Sequence, residues 1–171
     1  MELPEGFALA AFLERADPRD CIVSNVAASL AELPAGSVVG TSSLRRECQL
    51  RARFPHLKIE PLRGNVQTRL GKLAAGECDA SLLALAGLRR LDLAAKASVV
   101  LDPEAMVPAA GQGIVGITVR ADDHDLREML SAIEDPEAKA VSTAERSMLQ
   151  ELDGSCRTPI GGFARLLPNG E

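Results

Sequence analysis

Aromatic residues are scarce in this sequence, which contains no Trp, no Tyr and only four Phe among 171 residues. A core must therefore be built from Leu, Val, Ile and Ala, and a hydrophobic content of 46% is enough for a globular protein. Rings that could stack on bases are nearly absent and the net charge is −5, so we do not expect nucleic acid as a partner.

Long hydrophobic runs are also missing. No apolar stretch approaches the roughly 20 residues that a membrane-spanning helix needs. The first four residues, MELP, do not have the pattern of a secretory signal. We therefore expect a cytoplasmic protein that has no membrane partner.

The sequence lacks the cysteine spacing of metal sites. Its four cysteines are scattered, with no Cys-x-x-Cys pair and no nearby His: Cys21, Cys48, Cys78 and Cys156. This spacing predicts reduced thiols and no metal site.

The basic residues are concentrated in one part of the chain. Between Gly40 and Arg90 there are ten Lys or Arg and only four acids, a net charge of +6, whereas the rest of the chain carries −11. This asymmetry matters more than the total charge, because it predicts one local region that binds anions.

Strands and helices are predicted to alternate within this basic region. The predicted strands are residues 37–41, 57–62, 80–85 and 97–101, and the predicted helices are 43–53, 65–75 and 88–91. Asn65 is expected to cap the second helix and Gly76 to follow its end. This order favours a parallel sheet covered by helices.

The remaining segments have a different pattern. We predict a strand at residues 114–119, helices at 125–133 and 136–152, and one strand of a hairpin at 163–167. Because this last strand is followed at once by a turn signal, and no element precedes Leu3, we expect a chain that is truncated at both ends.

Arginines occupy the corner after each of the first three predicted strands. They are Arg45 and Arg46, then Arg63 and Arg69, then Arg89 and Arg90. The carboxyl ends of parallel strands share one edge, where ligands usually bind in open α/β sheets. No corner has the glycine pattern of a nucleotide loop, so carboxylates are the better fit. The alternative is that these arginines are solvated helix faces, as we expect for Arg51 and Arg53.

Arg45 and Arg46 are predicted to lie in the first turn of their helix, where the helix dipole disfavours cations. Some negative charge must offset this. The hydroxyls of Thr41 and Ser43, the backbone N–H groups beside them and the two guanidinium groups could together bind a carboxylate.

Cys156 lies in a loop rich in Gly and Pro, residues 154–162. Arg157 beside it would favour the reactive thiolate. A single cysteine is more often an inert packed residue, and this is our interpretation of Cys21, Cys48 and Cys78.

Five motifs together resemble the porphobilinogen deaminase family in order and approximate spacing. They are GTSSLRR at residues 40–46, LRGNVQTRL at 62–70, AGLRRL at 86–91, PAAGQG at 108–113 and GSCRTPIG at 154–161. Residues 14–20, ERADPRD, look like the family's entry into its second domain. The resemblance covers essentially the whole chain.

The resemblance implies a cytoplasmic transferase of tetrapyrrole and heme biosynthesis. Such an enzyme, hydroxymethylbilane synthase, joins four porphobilinogens head to tail and releases one ammonia each time. The growing oligopyrrole is held on a dipyrromethane cofactor, which would be covalently attached to Cys156. By motif position, the cofactor would be bound by Thr41, Ser43, Arg45, Arg46 and Arg69, and the substrate by Arg63 and Arg90. Arg89 is assigned to neither group.

The resemblance also implies a fold and a domain division. The fold class is α/β, with a type II periplasmic-binding-protein-like domain plus pieces of the neighbouring domains. Residues 1–18 would end domain 1 and form a hinge, 19–107 would be domain 2, 108–131 would return to domain 1, and 132–171 would start an α+β C-terminal domain.

The catalytic acid of the family is expected upstream of Met1, so the sequence predicts no catalytic residue in this chain and no activity of the chain alone. The full-length protein would be a monomer. The alternative hypothesis is a non-catalytic anion-binding module of the periplasmic type, which would explain the arginines without using Cys156.

Overall fold

A computed structural model describes residues 3–155 and 157–167, and its central element is a five-stranded sheet. The strand order is β4-β3-β5-β2-β6. The strands are β2 (Asp20–Ser24), β3 (Val38–Gly40), β4 (Lys58–Glu60), β5 (Ala80–Ala84) and β6 (Val99–Val100).

The prediction of a wholly parallel sheet is wrong in one respect. β3 is parallel to both β4 and β5, but β2 is antiparallel to β5 and to β6. The four predicted strands therefore do run in one direction, and β2, which the sequence did not predict, lies between two of them. Its apolar run is only Cys21 to Val23, too short for a periodicity, and the ladders that hold it join residues far apart in sequence.

Three helices cover this sheet. They are α1 (Leu44–Arg53), α2 (Val66–Ala74) and α3 (Leu85–Arg90), and a 3₁₀ turn, Ala94–Lys96, follows them. The predicted cap is confirmed, since the Asn65 side chain accepts a hydrogen bond from the Thr68 N–H, and Gly76 with φ +77° follows the end of α2. α3 begins three residues earlier than predicted.

The core lies on both faces of the sheet. Ile22 and Leu82 belong to one buried cluster, and their neighbours Cys21 and Leu83 belong to another on the opposite face. This alternation follows from the period of a strand, and fully burying each such aliphatic side chain contributes roughly 1.5–3 kcal/mol. Both faces are apolar because helices and loops cover both.

A two-stranded antiparallel sheet lies apart from the first, built from β1 (Phe7–Phe12) and β7 (Gly116–Arg120). The sequence predicted β7 but not β1. Helices α4 (His124–Ser131) and α5 (Pro136–Glu151) contact β1, and both begin at an Asp cap close to the predicted positions.

The segment after α5 differs from its prediction. Residues 161–167 form no strand in the described part of the chain, because no second strand lies beside them there. Backbone contacts hold the segment instead: the Gly162 N–H donates to the Pro108 carbonyl, and the Ala164 N–H donates to the Glu145 carboxylate. Residues 168–171 lie outside the described residues.

Candidate arginine-lined binding site

The arginine-bearing corners after β3 and β4 meet at one edge of the five-stranded sheet, and β5 ends at the same edge. Arg90 does not lie at the corner after β5, because α3 begins directly after that strand and Arg90 is its last residue. Gly40 at the end of β3 is in register with Glu60 at the end of β4 and with Ser81 in β5. The two first corners approach closely, since a Cβ at Gly40 would lie 2.9 Å from the Leu62 side chain. We call this the arginine edge and define it by Arg45, Arg46, Arg63 and Arg69.

Asp20 also lies at this edge, because β2 runs opposite to its neighbours and begins where β5 ends. Its carboxylate is fully buried and binds two guanidinium groups. Arg45 Nη1 lies 2.8 Å from Asp20 Oδ2, and Arg46 Nη2 lies 2.8 Å from Oδ1 while its Nε donates to Oδ2 at 3.1 Å. Sequence reasoning missed this residue, although it stands in the ERADPRD segment.

The position of Arg45 and Arg46 in the first turn of α1 is confirmed, but the charge that offsets the helix dipole belongs to the chain itself. Both arginines are buried, and their long side chains bind Asp20 rather than solvent. Burial alone would raise the pKa of the Asp20 carboxyl, yet Arg46 and Arg45 outweigh it and hold that pKa below its ordinary value. The dipole argument therefore does not by itself require a bound ligand.

Arg69 is repelled by the positive charge of its neighbour at the edge, Arg46. It is half-buried near the start of α2, and its Nε donates to the Gly64 carbonyl at 2.9 Å. Burial lowers the pKa of the Arg69 guanidinium, and the positive charge of Arg46 lowers it further. An anion placed between Arg69 and Arg46 would relieve this repulsion.

The hydroxyl groups of Thr41 and Ser43 accept hydrogen bonds from backbone N–H groups at the start of α1. The buried Thr41 hydroxyl accepts a hydrogen bond from the Ser43 N–H at 3.2 Å, and the Ser43 hydroxyl caps α1 by accepting from the Arg46 N–H at 3.4 Å. These contacts fix the start of α1 and with it the two arginines. A direct contact with the cofactor stays a prediction for both hydroxyls.

The two remaining arginines with a predicted binding role, Arg63 and Arg90, are exposed. Arg63 follows β4, and Arg90 is the last residue of α3. Arg89 differs from them, since its Nη2 lies 3.4 Å from Asp17 Oδ2, a carboxylate that Arg19 also binds. The surface role of Arg51 is confirmed by its exposed ion pair with Glu47.

Arg53 is exposed as predicted, and it also bonds to the backbone. Its guanidinium donates to the carbonyls of Glu104 and Ala105.

A second network, which the sequence did not predict, joins the two sheets. Arg15 binds the buried Glu145 of α5 through two hydrogen bonds of 2.8 and 3.2 Å, and its Nε donates to the Gln112 carbonyl at 3.1 Å. The Gln112 side chain in turn donates to the Pro18 carbonyl and to Asp20 Oδ1 at 2.6 and 2.8 Å. Arg15 stands in the ERADPRD segment and Gln112 in the PAAGQG motif, and both patterns indicated only the family resemblance.

The glycines around Gln112 have a structural reason. Residues 111–116, GQGIVG, match the spacing Gly-x-Gly-x-x-Gly, but they lead into a strand and not into a helix N-terminus, so they do not form a dinucleotide loop. At Gly113, with φ +86°, a Cβ would lie 2.4 Å from the Ala16 carbonyl oxygen. The glycine thus lets two chain segments cross in contact.

The cysteines divide into three groups. Cys21 and Cys78 are buried as expected, and burial raises the pKa of the Cys21 thiol to about 11 and raises that of Cys78. Cys48 is exposed on α1, so its interpretation as a packed residue is wrong: the helix turns this position away from the core. Cys156 lies outside the described residues.

Comparison with known proteins identifies the family. Residues 1–128 match the family model described as "Porphobilinogen deaminase, dipyromethane cofactor binding domain", and residues 139–171 match "Porphobilinogen deaminase, C-terminal domain". The chain belongs to the porphobilinogen deaminase family. The family predicted from the five motifs is therefore confirmed, and residues 1–128 belong to its cofactor-binding domain.

Two relatives show how much of a porphobilinogen deaminase this chain represents. The porphobilinogen deaminase of Chromobacterium violaceum is 60% identical over 166 residues, and that of Nitrosomonas europaea is 57% identical over the same length. In each case the match covers 97% of this chain and 54% of the relative. The chain thus spans about half the length of these porphobilinogen deaminases.

Solved structures support the predicted fold class. A putative methionine-binding lipoprotein from Bacillus subtilis superimposes with a TM-score of 0.51 over 79% of this chain and 64% of its own, and the methionine-binding protein MetQ with 0.50 over 94% and 70%. Both are 14% identical, so the likeness concerns the fold alone. The periplasmic-binding-protein-like α/β fold predicted for this porphobilinogen deaminase family member is confirmed.

Proposed function

We propose that this chain is the part of a porphobilinogen deaminase that binds the carboxylates of the cofactor and of the growing oligopyrrole. The observation that carries the proposal is the excess of positive charge at the arginine edge. One buried carboxylate, Asp20, binds both buried arginines, Arg45 and Arg46. The charged form of the half-buried Arg69 is destabilised by burial and by the charge of Arg46. A half-buried arginine that faces a second cation at a ligand-binding edge of an α/β sheet is suited to bind an anion.

The chemistry of the substrate fits this edge. Each porphobilinogen ring carries an acetate and a propionate, so an oligopyrrole is a polycarboxylate that planar guanidinium groups can bind through paired hydrogen bonds. Arg69, Arg45 and Arg46 would bind the cofactor carboxylates together with Thr41 and Ser43. The exposed Arg63 and Arg90 would bind the incoming substrate.

Asp20 sets how much charge the edge offers. It neutralises one of the two buried arginines, so the Asp20, Arg45 and Arg46 cluster carries a net charge of +1 and Arg69 adds another. A site with this residual charge can bind a carboxylate without leaving several cations buried and unpaired when it is empty.

The dipyrromethane cofactor, attached through Cys156, would supply the ring carbon that forms a carbon–carbon bond to the first porphobilinogen, with loss of the amino group as ammonia and of a proton from the ring. The residues of this chain would bind and orient: they hold carboxylates so that the reacting ring positions are near each other. The acid that stabilises positive charge on the pyrrole is expected upstream of Met1.

Further properties belong to the same proposal. The domain division into 1–18, 19–107, 108–131 and 132–171, the cytoplasmic location and the monomeric state of the full-length protein stay predictions. The structure contributes one fact, that no helix in residues 3–155 and 157–167 is long and apolar enough to span a bilayer.

A chimera tests the proposal. The chain would replace the matching segment of the Chromobacterium violaceum relative, and ammonia release and bilane formation from porphobilinogen would be followed. We expect turnover by the chimera, none by the 171-residue chain alone, and a dipyrrole adduct on Cys156 in peptide mapping. A folded chimera with an unmodified Cys156 and no turnover would contradict the proposal and favour the non-catalytic anion-binding module.

A further inference from the structure

Two connecting segments cross between the sheets, residues 13–19 after β1 and residues 101–115 after β6. We call them the crossing segments. They contact each other through backbone hydrogen bonds, in which Leu13 N–H donates to the Val115 carbonyl and Ala16 N–H to the Gly113 carbonyl, each at 3.0 Å. The relative position of the two sheets is therefore fixed at this crossing.

Gln112 is the residue of the crossing segments that contacts the arginine edge. Its Nε2 donates to Asp20 Oδ1 at 2.8 Å and to the Pro18 carbonyl at 2.6 Å, and its Oε1 accepts from Arg45 Nη2 at 3.4 Å. One carboxamide thus contacts both the buried carboxylate of the edge and one of its arginines.

The backbone of the same residue contacts the second network. The Gln112 carbonyl accepts from Arg15, which binds Glu145 on α5, and the neighbouring Gly111 N–H donates to that carboxylate. A continuous set of hydrogen bonds therefore runs from α5 through Arg15, Gln112 and Asp20 to the guanidinium groups of the edge. A change in the crossing segments would move the donor that Asp20 depends on.

We propose that Gln112 is a positioning residue of the arginine edge: its carboxamide orients Asp20, and through Asp20 the guanidinium groups of Arg45 and Arg46, according to the position of the crossing segments. Carboxylate binding at the edge then depends on how the two sheets are placed. This inference rests on the proposed function for its effect on turnover, whereas its effect on the arginines can be measured without it.

The charges around the carboxamide determine how a variant should behave. They are Asp20 on β2, Arg45 and Arg46 on α1, Arg15 in the first crossing segment and, through Arg15, Glu145 on α5. In Gln112→Met the donors and the acceptor are lost at similar volume. In Gln112→Glu, a protonated carboxyl could still donate to Asp20 and accept from Arg45. An ionised Glu carboxylate would instead repel the Asp20 carboxylate.

Gln49 offers a matched control. Its carboxamide also connects α1 with the second crossing segment, accepting from the Val107 N–H at 2.8 Å and donating to the Val107 carbonyl at 3.2 Å. It makes no hydrogen bond to Asp20, but its Nε2 also donates to the Arg45 carbonyl at 3.2 Å, and Arg45 Nη1 donates to the same Val107 carbonyl. Gln49→Met should therefore weaken the contacts of α1, including those of Arg45, with the second crossing segment and leave the bonds between Arg46 and Asp20 in place.

The first measurement is NMR of the arginine Nε–H groups in the 171-residue chain. We expect the Arg46 Nε–H signal, which reports the bond to Asp20, to shift and exchange faster with water in Gln112→Met and to stay in place in Gln49→Met. Arg45 and Arg46 signals at their original positions in a folded Gln112→Met variant would overturn the inference.

The second measurement is kcat/KM for porphobilinogen in the chimera across a range of pH. Losing hydrogen bonds to charged groups should lower kcat/KM by about tenfold or more in Gln112→Met at every pH. In Gln112→Glu, kcat/KM divided by that of the unaltered chimera should fall as the pH rises, because the new carboxyl ionises and repels Asp20.

Shifted arginine signals with unchanged kcat/KM, or a Gln112→Glu ratio that does not vary with pH, would count against the positioning role. An inactive unaltered chimera would instead count against the proposed function, and the NMR signals would still decide whether Gln112 positions the arginines.

Discussion

Two buried ion-pair networks lie on either side of Gln112, and they differ in charge balance. At the arginine edge one carboxylate, Asp20, serves two arginines. At α5 one carboxylate, Glu145, serves one arginine, Arg15, and also accepts from the backbone N–H groups of Gly111 and Ala164. The first network keeps a positive charge, whereas the second is neutral and has its acceptors occupied.

This difference separates a binding role from a structural one. A neutral network with full hydrogen bonding gains nothing from a further anion, and Glu145 with Arg15 joins α5 to the crossing segments. The edge holds more cations than anions, and Arg69 adds to the excess. Burial of charge is common to both networks, so the imbalance is the better guide to a ligand.

The largest expected effect is that of Asp20→Asn. It would leave two buried guanidinium groups without their carboxylate, and breaking such a pair costs about 3–5 kcal/mol of the free energy of unfolding. Urea denaturation should show this loss, and sulfate should restore part of it because an anion can replace the carboxylate. A loss below about 1 kcal/mol would contradict the assignment of Asp20, since a surface pair costs that little.

Glu145→Gln should have the next largest effect, about 3 kcal/mol, because one buried cation loses its partner. The amide oxygen can still accept one hydrogen bond, so part of the network survives. Sulfate should not restore stability here beyond its effect on the unaltered chain. Equal rescue of Glu145→Gln and Asp20→Asn would remove the distinction between the two networks.

Arg69→Leu should change binding more than stability. The free energy of unfolding should be unchanged or slightly higher, because the repulsion with Arg46 is removed. Loss of a charged hydrogen bond, about 1.5–3 kcal/mol, should weaken the binding of a soluble dipyrromethane that carries acetate and propionate side chains by about tenfold or more in calorimetric titration. The control is Arg51→Leu on the exposed face of α1, which should bind as before. Unaltered affinity in Arg69→Leu would argue against its role.

The smallest effect concerns pH. Since Arg46 and Arg45 lower the pKa of Asp20 in the folded state, its contribution to stability is fully present above the unfolded pKa, near 4, and is lost as the pH falls through the folded value. The stability difference between the unaltered chain and Asp20→Asn should be constant at neutral pH and shrink below about pH 4, by at most about 1.4 kcal/mol per pH unit. If the stability difference grew as the pH fell, the pKa of Asp20 would be raised in the folded state and not lowered.

Much of the fold followed from local signals. The strands β3, β4 and β5 were predicted from their apolar residues, α1 and α2 begin at side-chain caps, and Asn65 and Gly76 act as predicted. α3 has no side-chain cap, and its start was predicted three residues too late. β1 and β2 could not be predicted, because their short segments become strands only through ladders to residues about 60 to 110 positions away. The strand predicted at residues 163–167 fails for a related reason, since a strand also needs a partner and the local pattern does not supply one.

Local patterns were enough to predict a basic edge: arginines that follow successive strands of one direction are expected near a common edge, because β-α-β units share one handedness. Which partner each arginine has depends on the tertiary structure. Asp20 reaches Arg45 and Arg46 only because β2 runs antiparallel, and Gln112 reaches Asp20 only because two segments 90 residues apart cross at Gly113. Buried charges act over a few ångströms, so their partners depend on long-range topology that no local pattern contains.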